Sequence, residues 1–285
     1  MIALTPRNGL HFLLTRLFSP GRLNDGSNVG FPLSPGSVNI PAMCGRYSNA
    51  KDLAELMKLV DAVMRVTFFG PRYNIAPTQM APVIFMGNQQ PEIKLMRWGL
   101  IPSWAKDETT GNALINAWVE TLGTRRAFRQ AYRQRRCLVP DDSFYEWQER
   151  DGKRQPFRIM LKSGEPFCFA GLWERWIKLP SAGQPDTDLE NPLPSQTIES
   201  FAIITTQANE KVAPLHNQMP VILEPAHYRW WLENKPGSEL FQAALNSPLQ
   251  SPLKIYPVSN LVNSPANDDP RCIEPVQIEK PWWGD

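Results

Sequence analysis

Apolar and polar positions alternate along this chain in short runs, a pattern that predicts many strands and few helices. From Lys51 to Met64 the apolar residues recur at helical spacing, which predicts an amphipathic helix. Helices are also expected over residues 228–233 and 238–245. Short apolar runs bounded by turn residues predict strands over residues 81–86, 92–98, 114–120, 137–140, 144–148, 155–161, 167–173, 200–206 and 253–258. These elements predict an α+β fold, a single domain with a bent antiparallel β-sheet or barrel-like core and peripheral helices.

Turn-forming residues mark the connections between these strands. Residues 72–77 and 141–143 are interpreted as turn segments, and residues 88–91 predict a hairpin. Residues 180–195 are rich in Pro, Ser and Asp, and we expect a surface insertion there rather than a linker between domains.

The first part of the chain differs from the rest. Residues 1–42 combine Pro, Gly, Ser and Asn with one short apolar patch, and Arg7, Arg16 and Arg22 precede the first acidic residue, Asp25. A transit peptide, a leader that is removed later and a start codon placed too far upstream all fit this composition. We favour the misplaced start, and we expect residues 1–42 to be disordered. The folded domain is then expected over residues 43–276, followed by a flexible tail over residues 277–285.

Composition excludes several classes of protein. A net charge of +2 over 285 residues is too small for a generally basic nucleic-acid binder, so any basic surface must be local. The cysteines form no CxxC pair and the three histidines have no zinc-ligand spacing, so we expect no metal site, no cofactor and no disulfide framework. No apolar run is long enough to span a membrane. We therefore expect a cytoplasmic protein with reduced thiols, namely Cys44, Cys137, Cys168 and Cys272.

Cys44 directly follows Met43 at the point where the folded sequence is expected to begin. Methionine is usually trimmed when the next residue is small, and Cys44 would then carry a free α-amino group beside its thiol. Such a 1,2-aminothiol condenses with an aldehyde and closes a five-membered thiazolidine ring. The alternative is that Cys44 is a buried small apolar residue, the usual fate of a free cysteine.

Two other residues have settings that suit chemistry. Glu146 lies among the aromatic residues Phe144, Tyr145 and Trp147, where loss of hydration would raise its pKa and suit it to proton transfer near neutrality. The alternative is a strand in which Glu146 faces water. His216 lies in a loop just before an apolar strand, where it could reach into a cleft, although a lone histidine is more often structural.

Two features suit contact with a nucleic acid. Trp104 follows Pro102-Ser103 in a loop and is either a stacking surface or a packed side chain. Residues 125–136 are very basic, and on one helix Arg125, Arg129, Arg133 and Arg136 would share a face. That face suits a phosphate backbone, but a solvated helix surface is the commoner meaning of such a run of charges.

The chain presents a series of motifs in a fixed order. They are Met43-Cys44-Gly45-Arg46, Arg72-Tyr73-Asn74-Ile75-Ala76-Pro77, Trp98-Gly99-Leu100-Ile101-Pro102, Ile115-Asn116-Ala117, Arg136-Cys137-Leu138-Val139-Pro140, Phe144-Tyr145-Glu146-Trp147, and His216 with Met219-Pro220. In this order the chain resembles the SRAP family, the SOS response-associated peptidases that shield abasic sites in DNA. The resemblance runs from Met43 to about Val276.

The resemblance implies a mechanism and roles for particular residues. Members of the family bind single-stranded DNA, and their N-terminal cysteine condenses with the aldehyde of an abasic sugar, giving a thiazolidine DNA–protein crosslink. By motif, Asn116 would orient the cysteine or the sugar, Glu146 would act as general acid and base, and His216 would hold or protonate the sugar oxygen. The residues that would line the DNA side are Arg46, Asn74, Trp104 and Thr205.

This chain departs from the family pattern at three positions. Trp118 and Gln218 stand where the family usually has arginines that grip phosphates near the abasic site, and Ser143 replaces a usual glycine. Losing two such cations predicts weaker and less salt-sensitive DNA binding.

Three functions follow as hypotheses. The first is a sensor and shield of abasic sites in single-stranded DNA that reacts through Cys44 by lyase-type covalent chemistry, acts as a monomer and associates with the nucleoid when bound. The second is a self-processing cysteine-type peptidase that removes its own leader, and the third is a DNA-binding module without catalysis.

Overall fold

The computed structural model describes residues 44–51, 54, 57, 60–64, 70–150, 152–178, 196–233, 245 and 249–278. The helices that are described over their full length are α1 (Arg129–Gln134) and α2 (Pro225–Glu233), with short 3-10 helices at Glu108–Ala113, Val119–Thr121, Asn260–Asn263 and Pro270–Ile273. The strands are β1 (Tyr47–Asn49), β2 (Val63–Met64), β3 (Arg72–Ile75), β4 (Met80–Met86), β5 (Pro91–Trp98), β6 (Asn116–Trp118), β7 (Arg136–Asp141), β8 (Ser143–Arg150), β9 (Lys153–Leu161), β10 (Phe167–Lys178), β11 (Gln196–Gln207), β12 (Gln218–Pro220), β13 (Ile222–Leu223) and β14 (Leu253–Pro257).

Five strands of the larger sheet close into a ring. β5, β4, β7, β10 and β11 pair in that order, each with the next in antiparallel fashion. The ring closes where β11 returns to β5 in parallel, through the pairs Ser200↔Arg97 and Phe201↔Trp98. Each strand of a closed ring has a neighbouring strand on both sides, so its backbone N–H and C=O groups are paired where the ring is closed. The predicted barrel-like α+β core is confirmed.

A second sheet has the strand order β14-β9-β8-β1-β3 and is joined to the ring through one continuous stretch of chain. β7 ends at Asp141 and β8 begins at Ser143, so the chain passes from the ring into the second sheet across Asp142. The Asp142 carboxylate accepts a hydrogen bond from Ser48 and pairs with Arg158 at 3.3 Å. The turn predicted over residues 141–143 is only a bend at Asp142, because the residues on either side of it belong to strands.

Strand alternation divides the interior into two large apolar clusters. Ile203 belongs to the cluster that contains Cys44, Tyr47 and Trp98, whereas Ile204 belongs to the other. Trp98 is fully buried and its indole N–H donates to the Ile115 carbonyl at 3.0 Å. The site described below is therefore built on a rigid, close-packed scaffold.

Two local expectations are corrected. Residues 72–77 include strand β3, which pairs with β1, so this segment is more regular than its turn-forming residues suggest. The basic run is not one helix, since only Arg129–Gln134 is α-helical and Arg136 begins β7. Arg136 is 6% exposed and donates to the carbonyls of Trp231 and Tyr132. Its guanidinium group is therefore buried and does not contribute to a basic surface.

Other expectations fall outside the described residues. Residues 1–42, 180–195 and 279–285 lie there, as do most of the predicted helix over residues 238–245 and most of the helix after Lys51. Ala54, Met57 and Val60 of that first helix are described and helical, and Val63–Met64 forms β2. Within the part of the chain that the structure describes, no helix is long and apolar enough to cross a membrane.

Candidate active site

Cys44 lies at the start of the described domain, just ahead of β1. Cys44 is 1% exposed, and its backbone carbonyl accepts a hydrogen bond of 3.0 Å from the Asn116 side-chain amide. The backbone N–H of Tyr145 donates to the Arg46 carbonyl at 3.0 Å, so the chain after Cys44 is held against β8. Cys44 is thus fixed from two sides, by β6 and by β8.

The Cys44 thiol and the Glu146 carboxyl group interact directly, and each changes the pKa of the other. Glu146 lies on β8 opposite Phe157 and is 2% exposed, which excludes the alternative that it faces water. Burial raises the pKa of the Glu146 carboxyl well above its ordinary value, and the interaction with Cys44 lowers it only in part. Glu146 is therefore suited to hold a proton near neutral pH and to release it to a reacting group.

The thiol is also kept in its protonated form. Burial raises the pKa of the Cys44 thiol well above its ordinary value, and the charges of Glu146 and Asp141 raise it further. A reactive cysteine usually has a lowered pKa. A thiol held in this form would have to pass its proton to a neighbour in order to react, and the Glu146 carboxyl group interacts with it.

Asn116 and Thr205 share one face of the sheet. Asn116 on β6 lies beside Ile203 on β11, and Thr205 follows two residues later on the same strand face. Both residues are buried, and the Asn116 Oδ1 and Thr205 Oγ1 atoms have no hydrogen-bond partner among the described residues. Since buried polar atoms in folded proteins are almost always paired, these two oxygens are available for a ligand.

His216 lies in the loop just before β12. Its ring is half-buried, and its Nδ1 atom lies 3.1 Å from both the backbone N and the carbonyl O of Gln218. These contacts orient the imidazole ring.

The two residues that depart from the family's arginines lie on the same sheet face as Asn116 and Thr205. Trp118 on β6 pairs with Thr205, and Gln218 on β12 pairs with Gln207, two residues further along β11. The Gln218 Oε1 atom is buried and has no hydrogen-bond partner in the described part of the chain. A neutral amide and an indole therefore occupy these two positions.

Arg46 and Asn74 form one structural unit. The Arg46 Nη1 atom donates to Asn74 Oδ1 at 2.8 Å, and the guanidinium lies 5.9 Å from the centre of the Trp147 ring. Asn74 is fully buried, and its Nδ2 atom donates to carbonyls of the 260–269 loop, including that of Asn267 at 2.7 Å. Asn74 thus anchors this loop and Arg46, and its direct contact with DNA stays a prediction.

Trp104 belongs to a separate cleft of about 500 Å³ that no other predicted site residue lines. It is 48% exposed, and the Arg126 guanidinium lies 4.5 Å from the centre of its ring. The cleft is lined by Trp104, Thr109, Thr110, Ala113, Leu114, Arg125, Arg126 and Ala127. An exposed indole beside two arginines suits stacking with a base next to a phosphate contact.

Sequence reasoning missed Asp141 and Tyr47, two buried polar residues near this site. Each carries oxygen atoms with no hydrogen-bond partner among the described residues. The charge of Asp141 raises the pKa of both Cys44 and Tyr47. The only signal in the sequence was a pair of consecutive acids between apolar runs, which is also a common turn pattern.

Known proteins share the sequence motifs of this chain over most of its length. The family model described as "SOS response associated peptidase (SRAP)" matches residues 43–265. The chain is 38% identical over 236 residues to the abasic site processing protein YoqW of Bacillus subtilis, covering 81% of this chain and 99% of that protein. It is 29% identical over 237 residues to the abasic site processing protein HMCES of Gallus gallus, covering 75% of this chain and 68% of that protein.

A solved structure gives the same fold. The crystal structure of a protein from Bacteroides thetaiotaomicron superposes with a TM-score of 0.68 at 23% identity, covering 82% of this chain and all of that one. The match of the family model to most of the domain, together with the 38% identity to YoqW, shows the family to which the chain belongs. This chain is a member of the SRAP family, the SOS response associated peptidases.

Proposed function

We propose that this protein captures abasic sites in single-stranded DNA by forming a covalent thiazolidine through Cys44. The observation that carries the proposal is the buried pair of the Cys44 thiol and the Glu146 carboxyl, with the Cys44 carbonyl held by Asn116. Relatives that cover most of the domain are named abasic site processing proteins, which supports the same target.

The reaction proceeds in two steps on the aldehyde carbon of the ring-opened sugar. First, the α-amine of Cys44 adds to the aldehyde, and the resulting carbinolamine loses water to give a protonated imine. Protonated Glu146 supplies the proton with which the hydroxyl group leaves as water. The reaction requires a free α-amine, so Cys44 must be the first residue of the active protein.

In the second step the thiol adds to the imine. The carbon–sulfur bond forms, the thiol proton passes to the Glu146 carboxylate, and the electron pair of the carbon–nitrogen π bond returns to the nitrogen, which already carries its proton. The product is a five-membered ring that contains both the nitrogen and the sulfur of Cys44, and one water is released overall. Fixing the two nucleophiles on one residue makes this closure intramolecular, which lowers its entropic cost.

The remaining residues bind and orient the DNA. Asn116 holds Cys44 through the backbone and faces the sugar with its unpaired Oδ1, and His216 acts on the sugar oxygen. Thr205 and Arg46 bind beside the abasic sugar, where Asn74 holds Arg46 in place. Trp104 stacks on a base further along the strand.

The test uses protein that begins at Cys44 and a single-stranded oligonucleotide with one abasic site. A denaturing gel should show a crosslinked band for the wild type and none for Cys44→Ala. Cys272→Ala is the matched control, because it removes another buried free cysteine and should retain the crosslink. A wild-type protein that forms no covalent product, or a product that survives Cys44→Ala, would contradict the proposal. Salt-reversible binding alone would indicate the DNA-binding module without catalysis.

A second function, self-processing as a cysteine-type peptidase, has one observation in its favour. A peptide bond joins Met43 to Cys44 in the full chain, and self-processing would cleave this bond. The Cys44 thiol lies against a buried acid, Glu146. Mass spectrometry of the full chain distinguishes the cases: a leader that the wild type removes and Glu146→Gln retains would support self-processing. A leader retained by the wild type under all conditions would contradict it.

A further inference from the structure

Two guanidinium groups pack against the indole of Trp147, beside the candidate active site. The Arg46 guanidinium lies 5.9 Å from the centre of the Trp147 ring, and the Arg154 guanidinium lies 5.7 Å from it. Trp147 follows Glu146 on β8, Arg154 lies on the neighbouring strand β9, and Arg46 is two residues after Cys44. Trp147 and the two arginines are called the arginine–tryptophan cluster below.

Hydrogen bonds hold two members of this cluster in place. The Trp147 indole N–H donates to Asn263 Oδ1 at 2.7 Å. The Arg46 Nη1 atom donates to Asn74 Oδ1 at 2.8 Å and also to the Val262 carbonyl. Val262 and Asn263 belong to one 3-10 helix, so the indole and the Arg46 guanidinium are fixed against the same wall. Side chains that are fixed before a ligand binds lose little conformational entropy on contact.

The positive charges of the cluster have no carboxylate partner in the described part of the chain. Neither Arg46 nor Arg154 forms an ion pair with a described Asp or Glu. Glu149 lies opposite Arg154 across the two strands but does not pair with it. The Arg46 Nε atom is buried and has no hydrogen-bond partner among the described residues. Arginines without an anion of their own suit phosphate groups, whose oxygen atoms match the guanidinium fork.

The packing on Trp147 indicates which part of a nucleic acid this cluster suits. A free indole face stacks with a base. Guanidinium groups already lie over the Trp147 ring, and Arg154 is exposed. An arginine whose plane rests on an aromatic ring keeps the N–H groups along its edge for an anion. The cluster therefore suits the phosphate backbone, a contact that carries no sequence information.

We propose that Arg154, held over Trp147, binds a phosphate group of the strand that carries the abasic sugar, on one side of that sugar. This inference rests on the proposed function, because Arg46 joins the cluster to the N-terminal cysteine. The charge of Arg154 also reaches the site, where it lowers the pKa of the Glu146 carboxyl in part. The contact is separate from the cleft at Trp104, which other residues line.

The experiment measures binding without crosslinking. In a Cys44→Ala background, fluorescence anisotropy gives the affinity for a single-stranded oligonucleotide with one abasic site at a series of salt concentrations. Arg154→Gln should weaken binding several-fold at low salt and make the slope of log K against log salt shallower by about 0.7, the value for one lost phosphate contact. Arg154→Lys keeps the charge and should keep most of the slope. A role of Arg154 in packing alone would change the melting temperature and leave the slope as it is.

Arg175→Gln is the matched control. Arg175 is also exposed, but it lies on β10 and its guanidinium pairs with Glu199 at 2.8 Å. Its removal should leave the salt slope unchanged. A folded Arg154→Gln protein with the slope of the Cys44→Ala parent would overturn the inference. Equal losses in the two variants would overturn it as well, because they would show a general effect of net charge.

Shortened oligonucleotides test whether the contact lies on one side of the abasic sugar. One oligonucleotide ends at the sugar on its 5′ side and the other ends there on its 3′ side. Arg154→Gln should weaken binding to one of them and leave binding to the other unchanged, whereas equal effects on both would contradict a one-sided contact. A protein that forms no crosslink but needs Arg154 for its salt slope would contradict the proposed function and leave the phosphate contact in place.

Discussion

In the proposed reaction the Glu146 carboxyl group both gives and takes a proton. The side chain is 2% exposed, its Oε1 atom has no hydrogen-bond partner among the described residues, and the carboxyl group interacts with the Cys44 thiol. Burial favours its neutral form, which can donate, and the reaction then leaves it as the base that the thiol needs. In the proposed mechanism a single side chain therefore serves two successive steps, loss of water from the carbinolamine and addition of the thiol.

Glu146→Gln removes both functions without changing the shape of the side chain. We expect crosslinking to slow by about 10²-fold or more, the usual contribution of a positioned acid–base group. Because dehydration of the carbinolamine needs the protonated carboxyl group, the wild-type rate of imine formation should fall as pH rises through the pKa of Glu146, and the variant should lack this dependence. Quenched time courses on denaturing gels over a pH series measure both effects.

The control for this substitution lies on the same strand. Glu149 is exposed on β8, and Glu149→Gln should leave both the rate and its pH dependence unchanged. An unchanged rate in Glu146→Gln would remove Glu146 from the mechanism.

The raised carboxyl pKa values also predict how stability depends on pH. Glu146 and Asp141 keep their protons in the folded state, whereas in the unfolded chain they ionise at ordinary values. The unfolded state therefore binds fewer protons, and the free energy of unfolding should decrease as pH rises above the ordinary carboxyl range, by about 1.4 kcal/mol per pH unit for each group until its folded-state pKa is reached. Urea denaturation at several pH values measures this slope, and Glu146→Gln should flatten it. A stability that increases over the same range would contradict the assignment of neutral buried acids.

At the scale of elements, the two strands β6 and β12 flank β11 and present Trp118 and Gln218 on the same face as Thr205. Neither residue carries a charge, so we expect this face to bind phosphates less strongly than a pair of arginines would. Strand register, not sequence proximity, brings these positions together.

Gln218→Arg should restore a phosphate contact. We expect affinity for single-stranded DNA to rise several-fold at low salt, and the slope of log K against log salt to steepen by about 0.7 for one added contact. Fluorescence anisotropy titrations at a series of salt concentrations, in a Cys44→Ala background that cannot crosslink, measure the slope. Gln196→Arg adds the same charge at the exposed far end of β11 and should leave the slope nearly unchanged. Equal slopes in the two variants would show that the face at Gln218 does not contact phosphate.

Much of this architecture follows from local patterns in the sequence. The strands around residues 81–98 and 137–161 come directly from short apolar runs and hairpin signals, and burial of Glu146 was one of two expectations from its aromatic neighbours. The parallel closure of β11 on β5 could not be predicted, because it joins residues about a hundred positions apart. The burial of the Asp141 carboxyl group without a side-chain hydrogen-bond partner among the described residues could not be predicted either, since it depends on the three-dimensional packing of several strands.

At the scale of the whole molecule, activity should depend on where the chain begins. Protein that starts at Cys44 has a free α-amine, whereas protein that retains residues 1–42 has an amide nitrogen there, which cannot form an imine. We expect the trimmed protein to crosslink abasic DNA and the retained form to give no thiazolidine. Intact mass spectrometry of both proteins after incubation with the oligonucleotide measures this directly. A crosslink of the same mass increment in the protein that retains its leader would contradict the thiazolidine chemistry.

The parts of the site are spread across the chain, from Cys44 through Asn116 and Glu146 to His216. In protein that begins at Cys44, this residue leaves the ribosome long before the strands that enclose it have been made. β8, which carries Glu146, and β11, which closes the ring, are both synthesised later. We therefore expect slow-folding variants of this protein to accumulate aldehyde adducts at Cys44, which intact mass spectrometry would detect.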